Sequence, residues 1–497
     1  MKQNNFEQSI IKLILGAGIL LSTIQYLYNR SLWLDEAYLA LNIINKSHFD
    51  LLKPLDHRQV APILFLQIEK IISYLIPNTE FGLRLFPLLS FWLSIFLFYK
   101  IIKTIHDNYY TIIFSLSIFI FNSYIIYYSN EVKQYITDTL VLTFLYYLVL
   151  KKYEDPKYKY YNIGLAGAIC VFLSNVSPII LAATGLFLIH NHDVNDKKKN
   201  LYLLGISMVW SFSFLVYYYF FVYNHPTRDA MVYYWSSRFA FMPRNPLNLT
   251  FYKFIYDKWI LIVTDLFKFG KIGGICISIL ILIGSMHLFA KKRIGLIILT
   301  IAPIILHLII SSLKLYPFSL RFIIYLCPVI IIICSFGFNY FINILSNDLG
   351  IKNLRILAIF IPILMFSFFC LKGFPLEHSE IKKSIKVIEQ HINKSDTIYV
   401  NYVARIAFQY YREISFLRID CNNIIIGNRY EDDPTNYINE VSGLSGRVWF
   451  IFSTKHRNEQ SDVDILTRYF DSKNERLIQE FHTTGSSAYL YDLSARE

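Results

Sequence analysis

Apolar runs long enough to cross a bilayer recur along this chain, with short polar segments between them. A hydrocarbon core about 30 Å thick requires roughly 20 consecutive apolar residues per helix, and water-soluble proteins rarely contain many such runs in series. The sequence therefore predicts a polytopic α-helical membrane protein with about 11 transmembrane helices. We place them at residues 9–29, 84–103, 110–128, 134–150, 161–175, 177–190, 201–222, 271–290, 294–312, 321–342 and 354–371.

The basic residues indicate how the chain lies in the membrane. The net charge is +12, and lysines cluster in every second loop, as at Lys151–Lys152 and Lys197–Lys199. Cytoplasmic loops carry such an excess of Lys and Arg. We therefore expect a multi-pass plasma-membrane protein with a cytoplasmic N-terminus, a first span retained as a signal anchor, and an extracytoplasmic C-terminus. Because no single basic face collects these charges, we expect no nucleic-acid partner.

The composition changes abruptly near Pro375 and divides the chain into two expected domains. Residues 1–374 form the transmembrane domain, whose two long outer loops at 30–81 and 223–270 contain amphipathic, interfacial helices. Residues 375–497 alternate strand-like and helical patterns, which predicts a small extracytoplasmic α/β domain. We expect this domain to be structural or to guide the acceptor, with catalysis elsewhere.

Two adjacent carboxylates, Asp35 and Glu36, follow the first span in the string LWLDEAYLA. Charged groups beside a hydrophobic bundle are costly to place there and are functional by default. The pair has two interpretations. Acidic residues favour the N-terminus of a helix, where they interact with the helix dipole. Alternatively, a carboxylate held beside apolar surface can act as a general base toward a hydroxyl group.

Other outer segments add cationic and polar residues on the same predicted face, whereas the inner loops carry almost only lysines. Arginine presents a planar fork that matches phosphate oxygens, and polar groups that continue into a span need partners there. This asymmetry predicts a binding site for a phosphate-bearing substrate. The candidate substrate-binding residues are His57, Arg58, Gln59, Arg84, Lys133, Gln134, Tyr135, Tyr316 and Arg321.

Several of these residues also have structural interpretations. Arg84 can snorkel toward the lipid headgroups, and the turn at Glu131 can be an ordinary polar hairpin. Asp138 is interpreted as a structural partner of Lys133 or of another helix. His307, a lone histidine inside a span, is interpreted as a hydrogen-bonded residue of the bundle.

The strings LWLDEAYLA, HRQVAPILF, FGLRLFPLL and YSNEVKQYITDTL occur in this order. Together they resemble the C-type glycosyltransferase (GT-C) superfamily, and within it the family 39 group of protein O-mannosyltransferase-like and lipid A aminoarabinose-transferase-like enzymes. The resemblance covers most of residues 10–340. It implies a GT-C fold and transfer of a sugar, with inversion, from a polyprenyl-phosphate donor on the extracytoplasmic face. The acceptor hydroxyl would belong to a glycan, a lipid or a protein.

The resemblance also implies roles for individual residues. Asp35 takes the place of the first-loop catalytic carboxylate, and Glu36 is the second acid of that pair. Glu131 matches the acidic position of the second outer turn, which completes the catalytic set. Lys133 stands where many members have an arginine, and His57 is spaced differently from the family's histidine and proline.

The expected chemistry suits these residue types. A departing phosphate needs cations rather than a general acid, which Arg58, Lys133 and Arg321 can supply, and the acceptor hydroxyl needs one base. We expect no cofactor, and two adjacent acids are too few ligands to predict a divalent metal. The main alternative is a transporter or flippase of lipid-linked sugars, which predicts midplane charges and broken helices in paired halves. A third is a non-catalytic scaffold that binds cell-surface polymer.

Overall fold

The computed structural model describes residues 2–76, 79–155, 157–193, 195–223, 225–348, 354–414, 416, 423–428, 434–453 and 460–494. The chain divides into two compact units. We call the first the helical unit; it comprises Met1–Leu27, Ser47–Leu75 and Arg84–Pro375. We call the second the sheet unit; it comprises Tyr28–Lys46, Ile76–Leu83 and Leu376–Glu497.

Helices dominate the chain up to residue 371. They are α1 (Lys2–Tyr28), α2 (Leu34–Asn45), α3 (Ile63–Leu75), α4 (Thr79–Ile105), α5 (Tyr109–Ile120), α6 (Ser123–Tyr128), α7 (Tyr135–Glu154), α8 (Tyr160–Leu173), α9 (Ser177–His190), α10 (Lys197–Tyr217), α11 (Arg228–Ser237), α12 (Leu249–Ile260), α13 (Gly270–Ala290), α14 (Ile294–Ser312), α15 (Cys327–Asn343) and α16 (Leu354–Leu371). Short 3-10 helices occur at Asp50–Leu52, Asp56–Arg58 and Leu320–Leu326. Turns of π-helix occur at Tyr218–Tyr223, Leu261–Leu266 and Ile344–Asp348.

Within the described residues, six helical segments are long and apolar enough to cross a membrane: Phe6–Tyr28, Thr79–Ile105, Lys197–Tyr223, Gly270–Ala290, Ile294–Ser312 and Leu320–Ser346. Shorter apolar helices lie at Tyr109–Ile120, Tyr160–Leu173, Ser177–His190 and Ile356–Leu371. Helix α7 occupies the remaining predicted range, 134–150. The prediction of a polytopic helical membrane protein is confirmed, and the number of spans stays a prediction.

The predicted span at 110–128 is divided by a helix cap. The Asn122 side chain accepts hydrogen bonds from the backbone N–H groups of Tyr124 and Ile125, at 2.9 and 3.1 Å. It also donates to the carbonyl oxygen of Leu266 at 2.9 Å. Asparagine is among the preferred N-cap residues because it satisfies the free N–H groups of a first helical turn. One apolar run therefore folds as two helices, α5 and α6.

Helix α3 forms where the sequence predicts an interfacial helix, and it turns an acidic residue inward. Glu69 is fully buried and Lys70 is 3% exposed, whereas Ile71 and Leu75 are half exposed or more. Neither carboxyl oxygen of Glu69 has a hydrogen-bond partner among the described residues. Burial therefore raises the pKa of Glu69 well above its ordinary value.

The C-terminal part of the chain forms a five-stranded sheet. The strands are β1 (Thr397–Val400), β2 (Asn423–Ile426), β3 (Arg447–Ser453), β4 (Arg476–Thr483) and β5 (Ser486–Asp492), in the order β2-β1-β3-β5-β4. Strand β1 pairs in parallel with β2 and β3, and β5 pairs antiparallel with β3 and β4. The accompanying helices are α17 (Ile381–His391), α18 (Arg405–Glu413), α19 (Pro434–Ser442) and α20 (Gln460–Ser472). The predicted α/β content is confirmed, and the extracytoplasmic location stays a prediction.

The strands differ in how deeply they are buried, and therefore in how clearly the sequence predicts them. The central strand β3 is an apolar run that is buried from Val448 to Ser453, as is typical of strands covered on both faces. Its Trp449 is completely buried, and Phe450 packs against Phe470 and Tyr491. The edge strands β2 and β4 were not predicted: β2 has only four residues, and β4 is largely exposed.

The boundary between the units differs from the domain boundary expected from the sequence. Residues 28–46 and 76–83, which the sequence assigns to the transmembrane domain 1–374, pack with the C-terminal sheet. The cause is a set of buried polar contacts made by Ser31 and Glu80 with residues after 376. Helix α2, which carries the Asp35–Glu36 pair, therefore folds as part of the sheet unit.

Replacing Glu69 with Gln is expected to stabilise the protein at neutral and alkaline pH. Because its pKa is raised on folding, the wild type loses stability as the pH rises above the ordinary value of 4.5. The loss is up to about 1.4 kcal/mol per pH unit until the raised pKa is reached. Unfolding in detergent micelles should therefore show a larger advantage of Glu69→Gln at about pH 8 than at about pH 5.

The matched control is Glu154→Gln, which removes a carboxylate on an exposed part of α7. This variant should keep the same stability difference from wild type at both pH values. An advantage of Glu69→Gln that does not change with pH would contradict the account of Glu69 as a buried, unpartnered acid.

Candidate functional site

Asp35 and Glu36 lie in the first turn of α2, in the sheet unit. The helix begins at Leu34, after an extended Trp33 (φ −83°, ψ 172°), so the pair does occupy a helix N-terminus. Glu36 is fully buried and forms an ion pair with Arg30, in which Nη1 lies 2.5 Å from Oε2. Asp35 is partly buried. The two adjacent acids therefore have different surroundings: Glu36 serves an internal ion pair, and Asp35 lies on a more open face.

A tyrosine and an arginine accompany Asp35. Tyr38, further along α2, interacts electrostatically with Asp35 and accepts a hydrogen bond from Arg405 of α18. The Arg405 guanidinium lies 4.1 Å from the centre of the Tyr402 ring, and its Nη2 donates to the Tyr402 hydroxyl at 3.3 Å. Sequence analysis missed Arg405 because it lies far from Asp35 along the chain. The amphipathic pattern RIAFQYYRE was the available signal.

In the helical unit, His57 and Arg58 are exposed on a short turn of the first outer loop. Both adopt left-handed backbone conformations, with φ of 58° and 55°. Such conformations cost non-glycine residues on the order of 1–3 kcal/mol and recur at functional sites. The Gln59 side chain donates to the carbonyl oxygen of His57 at 3.3 Å. The predicted binding segment is therefore an ordered, strained turn that exposes the imidazole of His57 and the guanidinium of Arg58.

The turn at 130–134 is almost completely buried. Glu131 is 0% and Lys133 6% exposed, and the Lys133 N–H donates to the Glu131 carbonyl oxygen at 2.7 Å. The Lys133 ammonium donates to Gln59 Oε1 at 2.6 Å. The structure thus brings together two predicted binding residues from different outer segments.

Arg321 lies in the 3-10 helix Leu320–Leu326, and its side chain is surrounded by aromatic rings. Its guanidinium carbon is 5.1 Å from the centre of the Trp235 ring, 5.5 Å from Phe322 and 5.7 Å from Tyr135. A cation over an aromatic face is stabilised by the ring quadrupole. Arg321 and Tyr135, predicted from separate segments, therefore belong to one cluster, and Trp235 joins it from the outer loop at 223–270.

Glu131 and Arg321 approach the same pair of tyrosines. Both charges interact electrostatically with the hydroxyl groups of Tyr124 and Tyr128. These two hydroxyls are 3.2 Å apart, and the Tyr128 ring meets the Tyr135 ring edge-on at 5.5 Å. The acid and the cation that sequence analysis assigned to separate loops thus share a neighbourhood within the helical unit.

Two predicted residues of this neighbourhood carry buried polar atoms. The hydroxyl of Tyr316 and the Oε1 of Gln134 have no hydrogen-bond partner among the described residues. The Tyr316 ring packs edge-on against Phe322 at 5.2 Å, next to Arg321. Because a buried polar atom without a partner is unfavourable, both atoms are suited to a ligand's hydroxyl groups.

The structural interpretations of Asp138 and His307 are confirmed. Asp138 accepts a hydrogen bond from the Ser174 hydroxyl at 2.6 Å, so its partner lies at the end of α8. His307 Nε2 lies 3.1 Å from the Pro317 carbonyl oxygen and must donate to it. Its Nδ1 then accepts from the Tyr325 hydroxyl at 3.0 Å.

Arg84 is 1% exposed, which does not fit a side chain that snorkels to the headgroups. Both Arg84 and the buried Glu69 interact electrostatically with Tyr26. A binding role for Arg84 stays a prediction. Among the described residues, no three His, Cys, Asp or Glu side chains are grouped so as to hold a metal ion.

A small open groove of about 60 Å³ adjoins Gln59. One wall comes from the first outer loop and α3, and the other from the end of α10 and the π-helical turn that follows it. Such π-helical turns occur frequently at functional sites. The lining combines the polar residues Lys53, Gln59 and His225 with a larger number of apolar residues, which include Leu51, Leu55, Val60, Ala61, Ile63, Leu66, Tyr217, Phe220 and Phe221.

The whole chain aligns with a solved structure. It matches the crystal structure of ArnT from Cupriavidus metallidurans bound to undecaprenyl phosphate, with a TM-score of 0.53 and 11% sequence identity, over 98% of this chain and 99% of that chain. The chain has the ArnT fold. The apo structure of the same ArnT aligns with a TM-score of 0.48 and 10% identity, over 97% and 98% of the two chains. No family model and no curated protein matches the sequence.

The fold shared with this ArnT agrees with the helical membrane fold expected from the four sequence strings. The alignment extends over both units, so the α/β part is included in the shared fold. The catalytic and binding roles of individual residues stay predictions.

The hydrogen bond between Gln59 and Lys133 is expected to couple the first outer loop to the turn at 130–134. A hydrogen bond to a charged group contributes about 1.5–3 kcal/mol. In a double-mutant cycle of Gln59→Leu and Lys133→Met, the free energies of unfolding in detergent should therefore show a coupling of about this size. The control cycle uses the exposed pair Asp50 and Lys53, 2.8 Å apart, whose coupling should be clearly smaller because water screens the two charges. Additive effects of the Gln59 and Lys133 substitutions would contradict the contact.

Proposed function

We propose that the protein is an inverting glycosyltransferase that moves a sugar from a polyprenyl-phosphate donor to an acceptor hydroxyl on the extracytoplasmic face. The observation that carries the proposal is a buried lysine joined by a hydrogen bond to the lining of an apolar groove. An isoprenoid chain that ends in a phosphate is complementary to this arrangement, because its chain is apolar and its phosphate is anionic. ArnT, whose fold this chain shares, binds undecaprenyl phosphate.

The donor's chain and phosphate have suitable partners in the helical unit. The groove beside Gln59 presents leucine, isoleucine and phenylalanine side chains to an isoprenoid chain. Lys133, which donates to Gln59, can form a charge-assisted hydrogen bond with the phosphate. Arg58 is exposed one residue before Gln59 and adds a second cation.

The donor's sugar suits the cluster around Arg321. The rings of Trp235 and Tyr135 lie near the guanidinium, and aromatic faces can pack against the apolar face of a pyranose. The buried hydroxyl of Tyr316 and the amide oxygen of Gln134 can hydrogen-bond sugar hydroxyls. We assign these residues to the sugar and to the bridging phosphate oxygen that leaves with the lipid.

In the proposed reaction, Asp35 removes the proton of the acceptor hydroxyl. The acceptor oxygen attacks the anomeric carbon from the face opposite the phosphate, and the bond between that carbon and the phosphate oxygen breaks. The leaving polyprenyl phosphate gains negative charge, which Lys133 and Arg321 stabilise without a general acid. One displacement inverts the anomeric configuration. We propose that these protein cations act without a cofactor or a divalent metal.

Replacing Asp35 with Asn should abolish transfer while leaving donor binding intact. Asn keeps the shape of the side chain and cannot accept the proton, and loss of a general base typically lowers the rate by about 10²–10⁴-fold. The measurement is product formation by purified protein from a synthetic polyprenyl-phosphate sugar, together with the binding of undecaprenyl phosphate. Asp50→Asn, which removes an exposed carboxylate of the first outer loop, is the matched control and should retain transfer.

Full transfer by Asp35→Asn would contradict the assignment of the base. Movement of the donor across proteoliposome membranes, with no glycosylated product from any acceptor class, would favour the alternative of a transporter or flippase. A scaffold would show neither transfer nor a requirement for Asp35.

A further inference from the structure

The chain immediately before α2 is held by residues of the C-terminal α/β domain. The Ser31 N–H and hydroxyl both donate to Glu380 Oε2, at 3.1 and 3.2 Å, and the Ser31 hydroxyl accepts from the Lys382 N–H at 3.0 Å. The Leu32 N–H donates to the Tyr411 hydroxyl at 2.7 Å. Two successive backbone N–H groups, three and four residues before Asp35, are thus bound by the far end of the sequence.

Glu80 connects these contacts into a network. Its Oε1 accepts from the Tyr411 hydroxyl at 2.8 Å, and its Oε2 accepts from the Lys382 ammonium at 3.1 Å and from the Asn29 amide at 3.2 Å. The Tyr411 hydroxyl therefore accepts from Leu32 and donates to Glu80 at the same time. Every carboxylate of this network is at least nine-tenths buried, as is Tyr411, so the contacts are shielded from water.

Helix α2 is also held along its length. Inside its first turn, Glu36 is bound by Arg30, whose Nη1 also donates to the Ser31 carbonyl oxygen at 3.2 Å. At its last residue, the Asn45 amide donates to Glu413 of α18 at 2.7 Å. The helix that carries Asp35 is therefore held by buried polar contacts at its first turn and by an exposed hydrogen bond at its last residue, all within the sheet unit.

We infer that the C-terminal α/β domain is the positioning element of Asp35, with Tyr411, Glu80 and Glu380 as its positioning residues. This inference rests on the proposed function for the role of Asp35, and it makes more specific the expectation that the domain is structural or guides the acceptor. A general base must lie within hydrogen-bond reach of the proton it removes, and a displacement of about 1 Å can cost about 10²-fold in rate. The network determines where α2 begins and hence where Asp35 points.

The test is Tyr411→Phe, which keeps the ring and removes the hydroxyl that bridges Leu32 and Glu80. We expect kcat for sugar transfer to fall by about 10-fold or more, with the donor KM within about twofold of wild type. Hydrogen–deuterium exchange should become faster at the Leu32 amide. In an Asp35→Asn background the same substitution should cause no further loss, because Tyr411 acts through Asp35.

The matched control is Tyr399→Phe. Tyr399 is completely buried in the same α/β domain, and its hydroxyl also donates to a glutamate, Glu440, at 3.1 Å. This variant loses an equivalent hydrogen bond away from α2 and should keep both kcat and the exchange rate at Leu32. Lys382→Met, which removes a second donor to Glu80, should reproduce the kcat loss of Tyr411→Phe in weaker form.

Unchanged kcat and unchanged exchange at Leu32 in Tyr411→Phe would overturn the inference while leaving the role of Asp35 standing. Equal losses in Tyr411→Phe and Tyr399→Phe would also overturn it, because general destabilisation of the domain would then account for both. Full transfer by Asp35→Asn would overturn the proposed function, and with it the catalytic part of the inference. The exchange measurement reports separately on whether Tyr411 holds the chain before α2.

Discussion

The pairing of Arg30 with Glu36 is the interaction on which the account of this protein depends most. Both side chains are almost completely removed from solvent, and their charged atoms are 2.5 Å apart. Removing one partner of a buried ion pair leaves an uncompensated charge and typically costs about 3–5 kcal/mol. The first turn of α2 is therefore held in one register, and Asp35 emerges from that turn beside Tyr38 and the guanidinium of Arg405.

Buried charges also need compensating groups in the helical unit. Charges near a bilayer core are costly unless other groups compensate them, and the compensating groups here come from distant segments. Lys133 is compensated in part by the amide of Gln59, and Arg321 by the rings of Trp235 and Tyr135. Each cation thereby connects two segments that are far apart in the sequence. Gln59, which takes part in the first of these contacts, also lines the groove.

Much of the architecture could be predicted from the sequence because the bilayer imposes a length on every spanning helix. Apolar runs located the long helices, and the strand-like string RVWFIFS corresponds to the largely buried β3. The short edge strand β2 and the exposed edge strand β4 carry no comparable pattern and were missed. The inward position of Glu69 was also missed, since a composition of apolar and polar residues does not say which face of α3 is covered.

The candidate site could be predicted in part. Asp35, Lys133 and Arg321 stand out as charges at the ends of apolar runs, which is a local signal. Their neighbours Arg405 and Trp235 gave no such signal, because contacts between residues far apart in sequence depend on tertiary packing. For the same reason, sequence analysis did not find the buried partners of Glu80. Its carboxylate contacts Tyr411 and Lys382 only in the folded sheet unit.

The most direct measurement is an experimental structure of the protein with undecaprenyl phosphate bound. The account predicts that a phosphate oxygen lies about 3 Å from the Lys133 ammonium, within hydrogen-bond distance, and that the isoprenoid chain follows the groove beside Gln59. Lys133→Met should then lose the lipid from this position. A phosphate bound away from Lys133 and Arg321, with the groove beside Gln59 empty, would contradict the account.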